Sequence, residues 1–208
     1  MNKFSLSLAA IALMVSTAFA SADSFDTNLL TTSVTTGALE FVATTTVDSD
    51  LNNFGDDYLV GAQVTVLSYN LANGTSDVNL YGAVGELAGE GFGVVGAQYA
   101  WITAISRDVT LELMADATYV MADNVENGNL LLSPSMEMTV EVTNSLAVFG
   151  GAGYTWEATD SFAQLGGYVE VGLDVAVSDT VALRPSVIRP FDTANDNVVG
   201  SLELKLNF

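Results

Sequence analysis

The chain has 208 residues, 25 of them acidic and 5 basic, a formal net charge of −20 at pH 7, and neither Cys nor His. That charge balance repels phosphate backbones, which excludes nucleic acid as a partner. Without Cys there are no disulfides, thiolate metal sites or lipidated N-terminal Cys, and without His the usual Ser-His-Asp and His-metal chemistries are missing.

The elements begin with a leader. Lys3 gives a short positive stretch, Phe4 to Val15 an apolar run broken only by Ser5 and Ser7, and Ala18-Phe19-Ala20 a small-x-small motif before Ser21. This pattern predicts a cleaved signal peptide over residues 1–20, because the run is short of the roughly 20 residues a spanning helix needs. The leader holds one of the 5 basic residues and none of the 25 acids, so the exported chain carries 4 against 25, a net of −21. No later stretch approaches 18 uninterrupted apolar residues, yet 50% of the chain is hydrophobic. That apolar content must be dispersed in short strands, which suits the abundance of Val, Thr, Gly, Leu, Ala and Tyr.

Residues 21–36 form a Thr/Ser-rich N-terminal segment with no clear role, and a single all-β domain is expected over 37–208. Ser106-Arg107-Asp108, Thr143-Asn144-Ser145 and Ser178-Asp179-Thr180 each lie between alternating apolar runs and read as tight three-residue hairpin turns. Asn73-Gly74, within Asn70 to Ser76, is the strongest short hairpin signal. Centres at Asn73, Arg107, Asn144 and Asp179 are spaced by 34, 37 and 35 residues, so a two-strand unit recurs. Longer polar connections alternate with these turns: Asp48 to Asp57, Ala88 to Glu90, Asp123 to Asn129, Ala158 to Ser161 and Asp192 to Asn197. The elements predict ten strands, near 38–47, 58–69, 77–87, 92–105, 109–121, 131–142, 146–157, 163–177, 181–190 and 198–208; eight and twelve are the alternatives.

The turns also fix register. If Ile105 pairs with Val109, Trp101 faces Leu113 and Val95 faces Tyr119 on one surface, while Gln98 faces Asp116 and Ile102 faces Glu112 on the other. In the next hairpin Val140 faces Val148 and Leu132 faces Trp156, with Glu137 opposite Gly151 and Thr139 opposite Phe149 on the second surface. The third places Asp174 across from Arg184. Acids and amides thus stay on one side through three hairpins.

Two motifs fail on context. Gly91-Phe92-Gly93-Val94-Val95-Gly96 matches the G-x-G-x-x-G dinucleotide fingerprint, but a loop precedes it and an alternating strand follows, where the fingerprint needs a strand and then a helix. Asp48-Ser49-Asp50-Leu51-Asn52 opens like a calcium loop, but Asn53 replaces the turn Gly and Leu59 the bidentate Glu. Asp48, Asp50, Asp56 and Asp57 remain weak candidates for a loose divalent-cation site, and an acidic solvated loop is the commoner explanation.

The chain ends in a strand with one oily and one wet face: Leu202, Leu204, Leu206 and Phe208 alternate with Ser201, Glu203, Lys205 and Asn207. This segment resembles the C-terminal sorting strand of small bacterial outer-membrane β-barrels, in which alternating apolar residues end in a terminal Phe read by the barrel-assembly machinery. The resemblance implies a Gram-negative outer-membrane location and a single antiparallel up-and-down transmembrane barrel. It also implies lipid bilayer and lipopolysaccharide as surroundings, and periplasmic chaperones during biogenesis. Short turns would face the periplasm and longer loops the exterior, and an even strand count would put both termini in the periplasm. The last strand would close the barrel against the first, near Leu39 to Val47.

In that frame Glu40, Glu112, Asp116, Glu137, Glu141, Glu170, Asp174 and Glu203 point into the lumen, with Arg184 and Lys205 to balance them. Tyr58, Phe92, Tyr119, Tyr154, Trp156, Phe162 and Phe191 fall beside the longer loops, as an outer aromatic girdle would. The leading functional expectation is a narrow, porin-like channel whose acidic lumen passes or binds cations or small solutes. The alternative is a non-conducting structural or adhesive surface barrel with acidic loops that engage divalent cations. A soluble secreted β-sandwich is the third reading. No cofactor is implied, and no enzyme is expected: outer-membrane barrel enzymes rely on a His, and no catalytic constellation stands out.

Overall fold

Alternation of side chains across each strand, interrupted by short turns, produces an all-β architecture. The computed structural model describes residues 27–48, 54–87, 89–122, 128–159, 163–192 and 197–208. Eleven strands follow in chain order: β1 Thr27–Thr36, β2 Leu39–Asp48, β3 Phe54–Leu71, β4 Gly74–Leu87, β5 Glu90–Ser106, β6 Val109–Ala122, β7 Asn129–Thr143, β8 Leu146–Glu157, β9 Ala163–Ala176, β10 Val181–Phe191 and β11 Val199–Asn207. Each pairs with its sequence neighbour in antiparallel fashion, and β11 pairs with β1 to close one barrel. Closure removes free sheet edges.

The expected all-β barrel is therefore present, with one strand more than the ten counted from the turns. The extra strand is β1, from the segment whose sequence suggested no role. Gly37, at φ +61°, occupies the left-handed position of a tight turn between Thr36 and Leu39, which pair directly. β11 consequently closes against β1 rather than against Leu39 to Val47, and it does so in parallel, Leu29 opposite Ser201 and Thr35 opposite Asn207. Phe208 donates its backbone N–H to the Thr35 carbonyl at 2.9 Å. An odd count separates the ends. Thr27 lies opposite Asp48 at the long-loop end, while Phe208 lies beside the short turns.

Register within the hairpins follows the alternation. Gln98 pairs with Asp116, Ile102 with Glu112 and Trp101 with Leu113. Glu137 pairs with Gly151 and Thr139 with Phe149. Three turns differ from expectation, one of them at Thr143-Asn144-Ser145, where Thr143 pairs with Leu146 because an irregularity at Val142 absorbs one residue. Ser106, not Ile105, pairs with Val109, because an irregularity at Ile105 absorbs one residue. Leu71 pairs with Gly74, so the first reversal falls on Ala72-Asn73 rather than Asn73-Gly74.

The two faces are chemically opposite. On β6, Glu112, Met114, Asp116, Thr118 and Val120 are buried inside, whereas Leu113, Tyr119 and Met121 are exposed outside. The same holds around the wall, where Phe41, Val60, Leu80, Val84, Val95, Met136, Val171, Val187 and Leu202 are exposed. Exposed apolar surface of this extent marks a face that meets a partner or a membrane.

Candidate functional site

The interior divides along its axis. In the half nearest the short turns it is charged. Arg184 on β10 pairs with Glu137 on β7 and, at 3.3 Å, with Asp174 on β9. Lys205 on β11 lies 3.8 Å from Asp174 and 3.6 Å from Glu203. Ser33 of β1 donates to Glu203 at 2.8 Å, and Thr139 donates to Glu137 at 3.3 Å. The guanidinium carbon of Arg184 sits 3.5 Å above the centre of the Phe149 ring. That stacking adds a cation–π term to the ion pairs.

Two glycines lie in the ladder beside this network. Gly151 lies between Glu137 and Glu170 in the ladder, and Gly172 lies between Phe149 and Ser186. A Cβ on Gly172 would come within 2.5 Å of the Phe149 ring. The space left open at Gly172 is filled by the Phe149 ring on which Arg184 stacks.

A polar row crosses the middle of the barrel. Thr65 donates to Asn79 at 2.8 Å, Asn79 to Gln98 at 2.9 Å, and Gln98 to Asp116 at 3.1 Å. Ser133 and Thr155 continue it at 3.0 Å, and the Tyr81 and Thr118 hydroxyls bond to each other. Near the row, Ser68 donates to Asp77 at 2.5 Å. Buried polar atoms here find partners on neighbouring strands, as interior polar groups must.

Towards the long loops the interior is apolar. Val42, Leu59, Tyr81, Ala83, Val94, Val120 and Leu131 form one buried cluster, with Phe92 and Leu165 packed against it. Leu29, Tyr168, Ile188 and Val199 form a second. Together they draw inward side chains from ten of the eleven strands. Side chains lining a water-wide pore stay accessible to solvent, whereas each clustered residue is at most 9% exposed. At this level the interior is packed as a core.

A cavity of about 320 Å³ opens instead at the short-turn end, lined by Ser33, Glu40, Glu141, Asp174 and Lys205 among others. A smaller one of about 50 Å³ is lined by Glu40, Gln63, Asp77, Gln98 and Glu112.

Of the residues assigned to the lumen, Glu40, Glu112, Asp116, Glu137, Arg184, Glu203 and Lys205 are buried within the barrel, and Glu170 and Asp174 are half-buried. Glu141 lines the mouth and is exposed. The sequence did not single out Asp77, Asn79, Ser33 or the apolar interior layer. Asp77 and Asn79 carried a usable signal, since they alternate with Val78 and Leu80. Ser33 lay on the unrecognised strand.

Among the girdle residues, Tyr58, Tyr119 and Phe191 are exposed on the outer face. Tyr154 packs with Trp156, ring centroids 4.8 Å apart, and with Phe191 at 5.9 Å. Phe92 is a correction: it shares the inward parity of Val94 and Gln98 and packs against the interior cluster. Phe162 lies outside the described residues, as does Asp50. Asp48 ends β2, and Asp56 and Asp57 lie early in β3, where the Asp57 carbonyl accepts from Thr45 at 3.1 Å. Among the described residues no group of three or more acids is arranged to hold a metal ion. On the terminal strand Glu203 and Lys205 point inward, while Leu202 and Phe208 are exposed outside, with Leu204 and Leu206 half-buried.

No family model matches the chain, and no curated protein is significantly similar to it.

Proposed function

We propose that the protein is a bacterial outer-membrane barrel with a closed interior, a non-conducting structural element of the envelope surface. The carrying observation is the packed apolar layer of Val42, Leu59, Tyr81, Val94, Val120 and Leu131, backed by the Arg184–Glu137 network beneath it. Membrane residence is supported by the exposed apolar exterior and by strands that reach the roughly 9–11 residues needed to cross a bilayer when tilted. The leader and the terminal Phe208 support export and delivery by the barrel-assembly machinery with periplasmic chaperones, and lipopolysaccharide is the expected neighbour. The long acidic loops would then meet divalent cations at the surface. No catalytic role is proposed.

The cavity beside Glu40, Glu141, Asp174 and Lys205 favours a second reading, a narrow path for cations or small solutes entered from the short-turn end. That reading requires the apolar layer to part. Planar-bilayer recording on the refolded chain separates the two. The closed barrel gives no steps above baseline, and truncating Leu59 and Val120 together to Ala opens a cation-preferring leak. Stable cation-selective conductance from the unaltered chain would refute the closed reading and establish the path.

A further inference from the structure

Four basic residues follow the leader, and three have an evident setting. Arg107 sits exposed in a short turn, and Arg184 and Lys205 are buried among interior acids. The fourth, Arg189, is on β10 with the outward parity of Val187 and Phe191, while Arg184, Ser186 and Ile188 alternate with it on the inside. It is exposed and pairs across the ladder with Val169, itself exposed on the outer wall. Arg189 makes no ion pair with any described residue. An outward Arg costs about 2–4 kcal/mol at the bilayer midplane and about 0–1 kcal/mol near the interface. Its place on an apolar wall therefore assigns it to an interface, and among the described residues no acid supplies its counter-ion.

The surroundings say which interface and what anion. Arg189 stands next to the long-loop end of β10, beside the packed rings of Phe191, Tyr154 and Trp156. Gly167 pairs with both Tyr154 and Phe191, and its lack of a side chain lets the two rings converge. Amphipathic rings collect at head-group depth. A guanidinium offers a planar fork that matches phosphate oxygens in pairs.

We propose that Arg189, with the ring shelf of Tyr154, Trp156 and Phe191, binds the phosphate of a glycolipid head group in the leaflet at the long-loop end. The inference rests on the membrane reading above. To test it, the full chain is refolded into phosphatidylcholine nanodiscs and titrated with bisphosphorylated lipid A, followed by Trp fluorescence and by native mass spectrometry. Saturable binding is expected. Arg189→Gln should weaken it by about tenfold or more, the worth of a charge-assisted hydrogen bond, and Arg189→Lys by less. Arg107→Gln, at the other end, should leave it unchanged. Equal binding by the Arg189→Gln protein, or full competition by inorganic phosphate at equal concentration, overturns the site while leaving the membrane reading intact. A chain that stays soluble without detergent and shows no heat-dependent gel shift overturns both.

Discussion

Replacing Arg184 with Met would isolate what the interior network contributes. The side chains of Arg184 and Glu137 are 4% and 1% exposed, so the substitution strands a carboxylate in a site that bulk water does not reach. Removing one partner of a buried pair costs about 3–5 kcal/mol. Methionine retains contact with the Phe149 ring, so the lost cation–π term of about 1–2 kcal/mol is recovered only in part. Asp174 keeps Lys205 at 3.8 Å and should suffer less than Glu137. The expected loss is about 4 kcal/mol, with the Arg184→Met/Glu137→Gln double variant recovering about 2 kcal/mol of it. Urea unfolding of the refolded barrel in detergent micelles, read by Trp fluorescence and by gel mobility without heating, measures both. A loss below about 1 kcal/mol would mean that water already solvates Glu137, and the closed interior would fall with it.

Two further substitutions address the wall itself. Thr31→Pro removes a ladder N–H in a strand flanked by Glu203 on one side and Thr44 on the other, and should lower the unfolding free energy by about 1–3 kcal/mol; an unchanged urea midpoint would show that 27–36 is not part of the barrel. Gly172→Val drives a branched side chain towards Phe149, whose ring lies 2.5 Å from the Cβ position, and towards the Ser186 Cβ at 2.7 Å. It should cost about 1–3 kcal/mol by overpacking, whereas Gly150→Ala, whose nearest neighbour is the Glu170 carbonyl at 3.7 Å, should be close to neutral in the same titration.

What could be read from the sequence depended on contrast between the two faces. Where acids and amides alternate with Leu, Val and Trp, as in Gln98–Asp116 or Glu137–Gly151, pairing could be written down residue by residue. The Asp174–Arg184 contact followed from the same count. Contrast fails on β1, where Leu29 and Thr31 face in while Leu30 and Thr32 face out, so both faces read alike. It fails again at Phe92, Val94 and Val120, because an apolar interior layer against an apolar exterior erases the period of two. The Arg184–Glu137 pair was hidden for another reason. It joins β10 to β7 across two intervening strands, so it depends on barrel curvature rather than on ladder register.

The location of the charged network has a structural logic. Hydrophobic patterning fixes strand register only when one face is distinctly more apolar, and β1 lacks that distinction. Its pairing with β11 is also parallel, the slightly less stable arrangement. The polar side chains supply the missing specification there. Ser33 donates to Glu203 on one flank at 2.8 Å, and Thr31 bonds Thr44 on the other at 3.0 Å. A one-residue slip would turn Ser33 and Thr31 out to the wall and take the Ser33 hydrogen bond from the buried Glu203. Glu203 in turn contacts Lys205, which reaches Asp174 and through it Arg184, Glu137 and β7. The network therefore ties the weakest seam of the barrel to its opposite wall, and interior charge here sets where the chain closes.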